Sequence, residues 1–370
     1  MRVLLVVDDL DIGGAQRQVV GLARALAERG NTVVLACTTG GDSPTAASLA
    51  EAGVRVEVLG HRHVTKRFSP GFAARIARLA RTGRFDVLHG HVHAAAMAAA
   101  AAGPAAGVPV VVTEHSMASW RGSVARGYSR PLYRRCAAVL AVSDEIARRL
   151  RTVDRVPPGR VVVLGTALFP DSRDAVPGYP PGATFGGLLS PRQGVRVGVV
   201  ARLQPEKGID VFLHAVARVA PEHPDARFTV VGDGDLRAPL TALAARLGLA
   251  DHVRFVGACH HGEAAVAAFD VLCVPSLTEG APLVVLEALT AGVPVVASAV
   301  GAIPEQLEDA GVLVPPGDPA ALAEALRRLL DDAGERFHLG TAALKRAASL
   351  PTAADVTDAV EEVYRRVVGR

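Results

Sequence analysis

Four charged residues in the second half of the chain stand in two closely spaced pairs that could do chemistry. Glu279 and Glu287 lie eight positions apart in "TEGAPLVVLEALTAG", and Arg202 and Lys207 lie five apart in "VVARLQPEKG". Carboxylates accept hydrogen bonds from paired hydroxyls. Two cations brought to one strand end, here by a turn containing Pro205 and Gly208, suit a diphosphate. At a helix start such cations oppose the helix dipole, so a bound anion explains them better than solvent does. Gly280 and Pro282 break the chain before "LVVLEALTA", which has helical length and stops at Gly292. Proline belongs in a first helical turn and glycine just past the last. Glu287 would then lie two turns into the helix among Val284, Val285, Leu286 and Leu289, where it faces solvent or needs a partner.

Other polar clusters invite chemistry and are read more conservatively. In "VVGDGDL", the dinucleotide fingerprint fails because Arg237 stands where its last glycine should be. Asp233 and Asp235 have the spacing of a metal pair, but a glycine turn between strand and helix, with Asp235 as N-cap, is preferred. His89, His91 and His93 would share one face if their strand continued. No carboxylate or thiolate ligand lies nearby for zinc, so they are read as structural or acceptor-side histidines. The glycines Gly13 and Gly14 open the first helix, where amides without a neighbouring Cβ approach a phosphate or an acceptor closely. Cys259 with the two histidines after it is read as incidental. No metal site is expected.

The elements that must position these residues alternate along the whole chain. Continuous apolar runs at 2–7, 32–36, 55–59, 86–89, 108–113, 138–142 and 160–164 read as parallel strands buried on both faces. A Pro- and Gly-rich stretch at 171–194 reads as a linker. The alternation then restarts with "VRVGVV", a helix from Lys207, "RFTVV", a helix from Leu236, "HVRFVG", "VLCVP", "VPVVAS" and "GVLVPP". The expected fold is α/β, with two Rossmann-like doubly wound domains facing a central cleft, at 1–170 and 195–350. A final helix at 351–370 is expected to pack back toward the N-terminal domain. Ligands of such sheets bind beyond the carboxyl ends of the strands. The alanine-rich segment 94–112 has membrane-like length, but its Gly-Pro break favours a short helix, a turn and a buried strand.

Composition narrows the class further. The four cysteines lack paired spacing, which fits a reducing compartment, and "MRVLLVV" meets "DDLD" too soon for a secretory signal. The net charge of +3 predicts no nucleic-acid binding. Residues 1–185 nevertheless carry 23 Lys+Arg against 14 Asp+Glu, and the remainder 17 against 23, so the halves should meet different ligands.

The ordered pieces "GGAQRQVVGLARAL", "VSDEIARRL", "VARLQPEKGIDVFLHA", "VVGDGDL", "VRFVGACHHGE", "AFDVLCVPSLTEGAPLVVLEALTAGVPVVAS" and "GAIPE" resemble the retaining glycosyltransferase family 4, of GT-B fold. The resemblance spans nearly the whole chain and is strongest over 195–330. It implies a donor nucleotide sugar, a UDP-sugar first among them, held mainly by the second domain, and an acceptor held mainly by the first. Glu279 would take sugar hydroxyls and Glu287 the ribose, ~12 Å apart across two helical turns. Amides of Gly280, Ala281, Leu283 and Val284 would face a phosphate. Arg202 and Lys207 would stabilise the departing nucleotide diphosphate, and His115 in "TEHS" would contact the donor sugar near the reacting carbon. Gly14 would serve the donor, Gly257 and Cys259 would frame the base, and Gly13, His91 and His93 are acceptor-side candidates. Leu164-Gly165 departs from the Asn-Gly common in relatives, which bears on domain closure rather than catalysis.

The implied reaction is a same-face displacement without metal or other cofactor, transferring a hexose or N-acetylhexosamine to an acceptor hydroxyl. A GT-B-fold sugar-nucleotide epimerase and a non-catalytic nucleotide-sugar-binding partner are the alternative readings. The expected location is cytoplasmic, extending to peripheral contact at the inner membrane face. Two acid-free basic stretches suggest that contact, or an anionic small-molecule or lipid-linked acceptor. One spans Arg62 to Arg84, with Phe72, Ile76 and Leu79 at helical spacing. The other spans Met117 to Val142, with Trp120, Tyr128 and Tyr133. Merely solvated arginines account for both stretches equally well.

Overall fold

The computed structural model describes residues 1–10, 13–41, 43–60, 69–117, 123–169, 194–259 and 262–369. Residues 171–193 of the expected linker lie outside them, as do Arg62, Lys66, Arg67, Trp120, His260 and His261. The chain divides into two compact units, Met1–Pro181 with Pro351–Arg370, and Gly182–Leu350.

The first unit runs β1 (Arg2–Val6), α1 (Gly14–Glu28), β2 (Thr32–Cys37), α2 (Pro44–Glu51), β3 (Arg55–Val58), α3 (Pro70–Gly83), β4 (Val87–His91), α4 (His93–Ala106), β5 (Val110–Glu114), α5 (Ser123–Tyr133), β6 (Ala138–Ala141), α6 (Asp144–Thr152) and β7 (Val161–Val163). The second runs β8 (Arg196–Val200), α7 (Ile209–Val219), β9 (Arg227–Val231), α8 (Arg237–Arg246), β10 (Val253–Gly257), α9 (Gly262–Ala267), β11 (Val271–Val274), α10 (Leu283–Ala291), β12 (Val295–Ser298), α11 (Ile303–Leu307), β13 (Gly311–Val314), α12 (Pro319–Asp331) and α13 (Ala333–Ala347). A last helix, α14 (Ala353–Val368), returns to the first unit.

Both sheets are parallel and doubly wound. Their orders are β3-β2-β1-β4-β5-β6-β7 and β10-β9-β8-β11-β12-β13. Strand order therefore reverses between β1 and β4 in the first unit and between β8 and β11 in the second. At such a switch the loops leave in opposite directions and open a crevice at the carboxyl ends. The apolar runs are what such strands require: every residue of β4, β5, β6, β11 and β12 is buried. Val3, Leu5, Leu35, Val87, Val111 and Leu140 share one core, and Val197, Phe212, Val230, Val271 and Val296 share the other.

Three local expectations change. The helix expected from Lys207 begins at Ile209, because Pro205–Lys207 forms a 3-10 turn and Gly208 takes φ 61°. The helix of the alanine-rich segment runs through Gly103-Pro104 to Ala106 and ends at Gly107. Gly103 is there for close packing, since a Cβ would lie 2.0 Å from Val110. Among the described residues, no helix is long and apolar enough to cross a membrane. In α3 the apolar face is spent inside the protein: Phe72 and Ile76 are fully buried, leaving Arg75, Arg78 and Arg81 outside. Arg75 is itself engaged, donating to the carbonyls of Leu59 and Gly60.

The return of α14 rests on a capping box and an apolar seam. Thr352 and Asp355 satisfy each other's backbone amides. Val360, Val363, Tyr364 and Val367 enter the first unit's core, while Arg29 pairs with Asp358 and Glu361. The Tyr364 hydroxyl lies 2.6 Å from His89 Nδ1, and Thr113 Oγ1 lies 2.7 Å from His89 Nε2. A fully buried imidazole thus has both nitrogens satisfied, one of them by the last helix. Tyr364→Phe leaves that nitrogen buried and unmatched, and is expected to lower stability by ~1–3 kcal/mol. The urea midpoint should fall with an unchanged slope; an unmoved midpoint would show the contact to be dispensable.

Candidate active site

In the second unit the loops that follow β8 and β11 meet at the switch between those strands. Gly208 makes this approach feasible, because a Cβ there would stand 2.1 Å from the Pro275 carbonyl oxygen. The Leu277 amide donates to the Glu206 carbonyl (2.8 Å), tying the two loops backbone to backbone. Across that junction Lys207 Nζ lies 2.6 Å from Glu279 Oε1, and the Ser276 hydroxyl donates to the same oxygen at 2.7 Å. The Lys207 and Glu279 side chains retain 19% and 10% of their exposure, so this pair is weakly screened. Arg202 is exposed and makes no ion pair among the described residues.

Glycines hold the neighbouring loops equally close. Gly232 (φ 142°) passes the Ala201 carbonyl, where a Cβ would come within 1.8 Å, and the Leu203 amide donates to the Asp233 carbonyl at 2.9 Å. The G-D-G-D segment is therefore the bed on which the Arg202 loop lies. The expected N-cap role of Asp235 is not seen: Leu236 holds the N-cap position without a side-chain bond. Its amide donates to the Leu203 carbonyl (3.2 Å), so the turn is secured by backbone contacts instead. Asp233 accepts from the Gly234 amide and lies 3.5 Å from Arg237. Gly301 presses on the carbonyls of Glu279 and Gly280, and Gln306 Nε2 donates to the Pro282 carbonyl at 3.3 Å.

Glu287 is buried, with 5% of its surface exposed, so it is no surface glutamate. It is the fifth residue of α10, one turn in rather than two, because Glu279 and Gly280 belong to the preceding loop and Pro282 is the N-cap. The first amides of α10, at Leu283 and Val284, have no acceptor within the helix. Ala281 lies in the loop before them, Gly257 (φ 83°) ends β10 beside Arg237, and Cys259 is half-buried two residues on.

The first unit assembles a different set at its own switch. Gly13 caps α1 in an extended conformation and Gly14 begins the helix. Asp8, just past β1, accepts from the Ala95 amide at 2.7 Å at the start of α4. Burial raises its carboxyl from 3.8 to about 7, opposed by that amide and assisted by Asp9. His89 and His91 stack with ring centroids 4.0 Å apart, but His93 leaves their face. The reason is Val92, at φ 60°, which ends the strand and caps α4. His91 Nδ1 lies 3.2 Å from His115 Nε2, and His93 Nε2 lies 3.3 Å from the Tyr128 hydroxyl. Desolvation pushes His89 down to about 3, His91 well below its ordinary value and His115 down to about 4, so these rings are neutral at pH 7. Arg149 pairs with buried Asp154 (2.9 Å) and reaches the Ser116 carbonyl (3.4 Å), securing the loop after His115. Buried Glu114 accepts from the Tyr133 hydroxyl. Among the described residues, no three His, Cys, Asp or Glu side chains converge as a metal ion requires.

Two Rossmann-like doubly wound parallel-sheet units are the architecture of the GT-B fold. Residues 12–168 match Glycosyltransferase Family 4, and residues 194–332 match Glycosyl transferases group 1. The phosphatidyl-myo-inositol mannosyltransferase of Mycobacterium leprae is 33% identical over 86% of this chain and 84% of its own. The D-inositol 3-phosphate glycosyltransferase of Salinispora tropica is 31% identical over 97% and 82%. Anabaena HepE, solved with UDP and glucose, shares the fold with a TM-score of 0.84 at 21% identity, covering 98% of both chains. The chain belongs to glycosyltransferase family 4.

Asp8 offers a test of the first unit's electrostatics. Its folded carboxyl holds a proton more tightly than the unfolded one, so its contribution is fully present below about pH 4 and is lost as pH rises through about 7. Asp8→Asn keeps an oxygen for the Ala95 amide and removes the titration. The variant is expected to gain stability relative to the parent at pH 8 compared with pH 4. Equal urea-midpoint differences at the two pH values would contradict this.

Proposed function

We propose that this glycosyltransferase is retaining, and that it moves a hexose or N-acetylhexosamine from a nucleotide diphosphate sugar to an acceptor hydroxyl. UDP-sugars are the first donors to consider, a reading supported by HepE, which was also solved with UDP-glucose. The names of the relatives favour an acceptor carrying a phosphorylated cyclitol. Exposed Arg78, Arg81 and Arg84 favour an anionic one. With the apolar face of α3 buried, contact with an anionic membrane through this helix rests on charge alone.

The observation that carries the reading is Lys207 held against Glu279 at the β8/β11 switch. In the chemistry proposed, the bond between the anomeric carbon and the β-phosphate oxygen breaks. The acceptor oxygen bonds to that carbon from the same face, and its proton passes to the departing phosphate oxygen. Lys207, Arg202 and the first amides of α10 stabilise the growing negative charge. As Lys207 turns to the diphosphate, Glu279 is released to sugar hydroxyls. Glu287 takes the ribose, and His115 meets the transferred sugar. These cations supply the charge without a metal, so turnover should persist in EDTA.

Arg202→Ala and Lys207→Ala are each expected to lower kcat ~100-fold or more; near-normal turnover in both would remove them from the mechanism. Glu287→Ala should weaken binding of UDP itself, whereas Glu279→Ala should weaken only the intact sugar nucleotide, as calorimetry would show. Equal losses on both ligands would overturn the division of roles. The reaction is tested by incubating UDP-glucose, UDP-N-acetylglucosamine and GDP-mannose with D-inositol 3-phosphate, then reading product mass and anomeric configuration. An inverted product would refute retention. Free nucleotide diphosphate with an epimerised sugar and no transfer would refute the transferase reading.

A further inference from the structure

We propose that His91 is a positioning residue that holds His115 in one neutral tautomer, with the proton on Nδ1, so that His115 offers a hydrogen bond to an oxygen of the transferred sugar. The inference rests on the placement of His115 against that sugar proposed above.

The contact between His91 Nδ1 and His115 Nε2, at 3.2 Å, needs one proton between two nitrogens. Both rings are neutral, so each carries a single N–H. Two arrangements satisfy this. If His115 donates from Nε2, then the His91 proton sits on Nε2. That atom is buried and meets no hydrogen-bond partner among the described residues, so it would be an orphaned N–H. If His91 donates from Nδ1, its buried Nε2 is only an unmatched lone pair, and the His115 proton moves to Nδ1. In protein backbones, buried N–H groups without an acceptor are rarer than under-satisfied carbonyls, and the same ordering applied to the two imidazoles favours the second arrangement.

The support beneath His91 makes this choice stick. Its ring packs 4.0 Å from that of His89, whose two nitrogens are held by Tyr364 and Thr113. His91 itself is 2% exposed, whereas His115 is half-buried and keeps access to a ligand. In this tautomer both nitrogens of His115 are committed, one as acceptor from His91 and one as donor outward. His115 therefore does not take the acceptor's proton, which leaves that task to the departing phosphate.

Nitrogen-15 NMR of the full-length protein labelled at histidine tests the tautomer without a ligand, with His115→Ala identifying the resonances. The expected result is a neutral His115 protonated at Nδ1. His91→Phe should mix the tautomers and lower kcat about tenfold, the effect of one lost hydrogen bond, with no change in UDP affinity. His91→Asn, whose amide nitrogen stands in for Nδ1, should recover most of the turnover and the single tautomer. Kinetics use whichever nucleotide sugar of the panel above turns over fastest. Protonation at Nε2 in the parent protein, or an unchanged tautomer and kcat in His91→Phe, would overturn the proposal. Full turnover in His115→Ala would instead remove the sugar contact on which it rests, leaving the NMR result standing.

Discussion

Close backbone approach is the constraint on which the second unit's chemistry depends. Three glycines, at 208, 232 and 301, each meet a neighbouring carbonyl at a distance that no Cβ could share. Only then do the loops leaving β8, β9, β11 and β12 stack tightly enough for a lysine on one to reach a glutamate on another. The Lys207–Glu279 pair is thus a product of backbone geometry before it is a product of charge. Because the loops are tied by backbone bonds such as Leu277 to Glu206, both side chains stand at the switch point before any ligand arrives.

Much of this was legible along the chain, for definite reasons. Parallel strands buried on both faces write continuous apolar runs, so the alternation of both sheets is plain in the sequence. Lys207 follows β8 by one short turn, and local spacing of that kind reports local geometry. The Ser276–Glu279–Lys207 cluster is different: it joins positions 72 residues apart, and the strand order that makes them neighbours is a property of the whole sheet. Gly301, in the turn after β12, and Gln306, in α11, act on the Glu279 loop from later in the chain and leave no spacing signal near it. Glu287 shows the limit within a single element. A glutamate in an apolar helix is compatible with solvent or with burial, and only packing around α10 decides for burial.

Histidines make the same point in the first unit. Alternation at 89, 91 and 93 suggests a shared face, yet one β-branched residue in the left-handed region, Val92, sends His93 into the following helix. What remains is a layered stack in which His89 is structural and His91 links it to the half-buried His115. The low basicity of all three comes first from burial, to which the neighbouring histidines add at His89 and His91. Nothing in the residue pattern distinguishes that burial from the partly solvated histidines typical of loops.

The path of α14 has a consequence for how the molecule is made. This helix follows the entire second unit in the chain but completes the core of the first. A ribosome releases the strands of the first unit long before it releases Tyr364, so during synthesis His89 stays without one of its two partners. The second unit, continuous in sequence, can close as soon as it emerges. Translation order and completion order are therefore inverted: the domain that begins first finishes last.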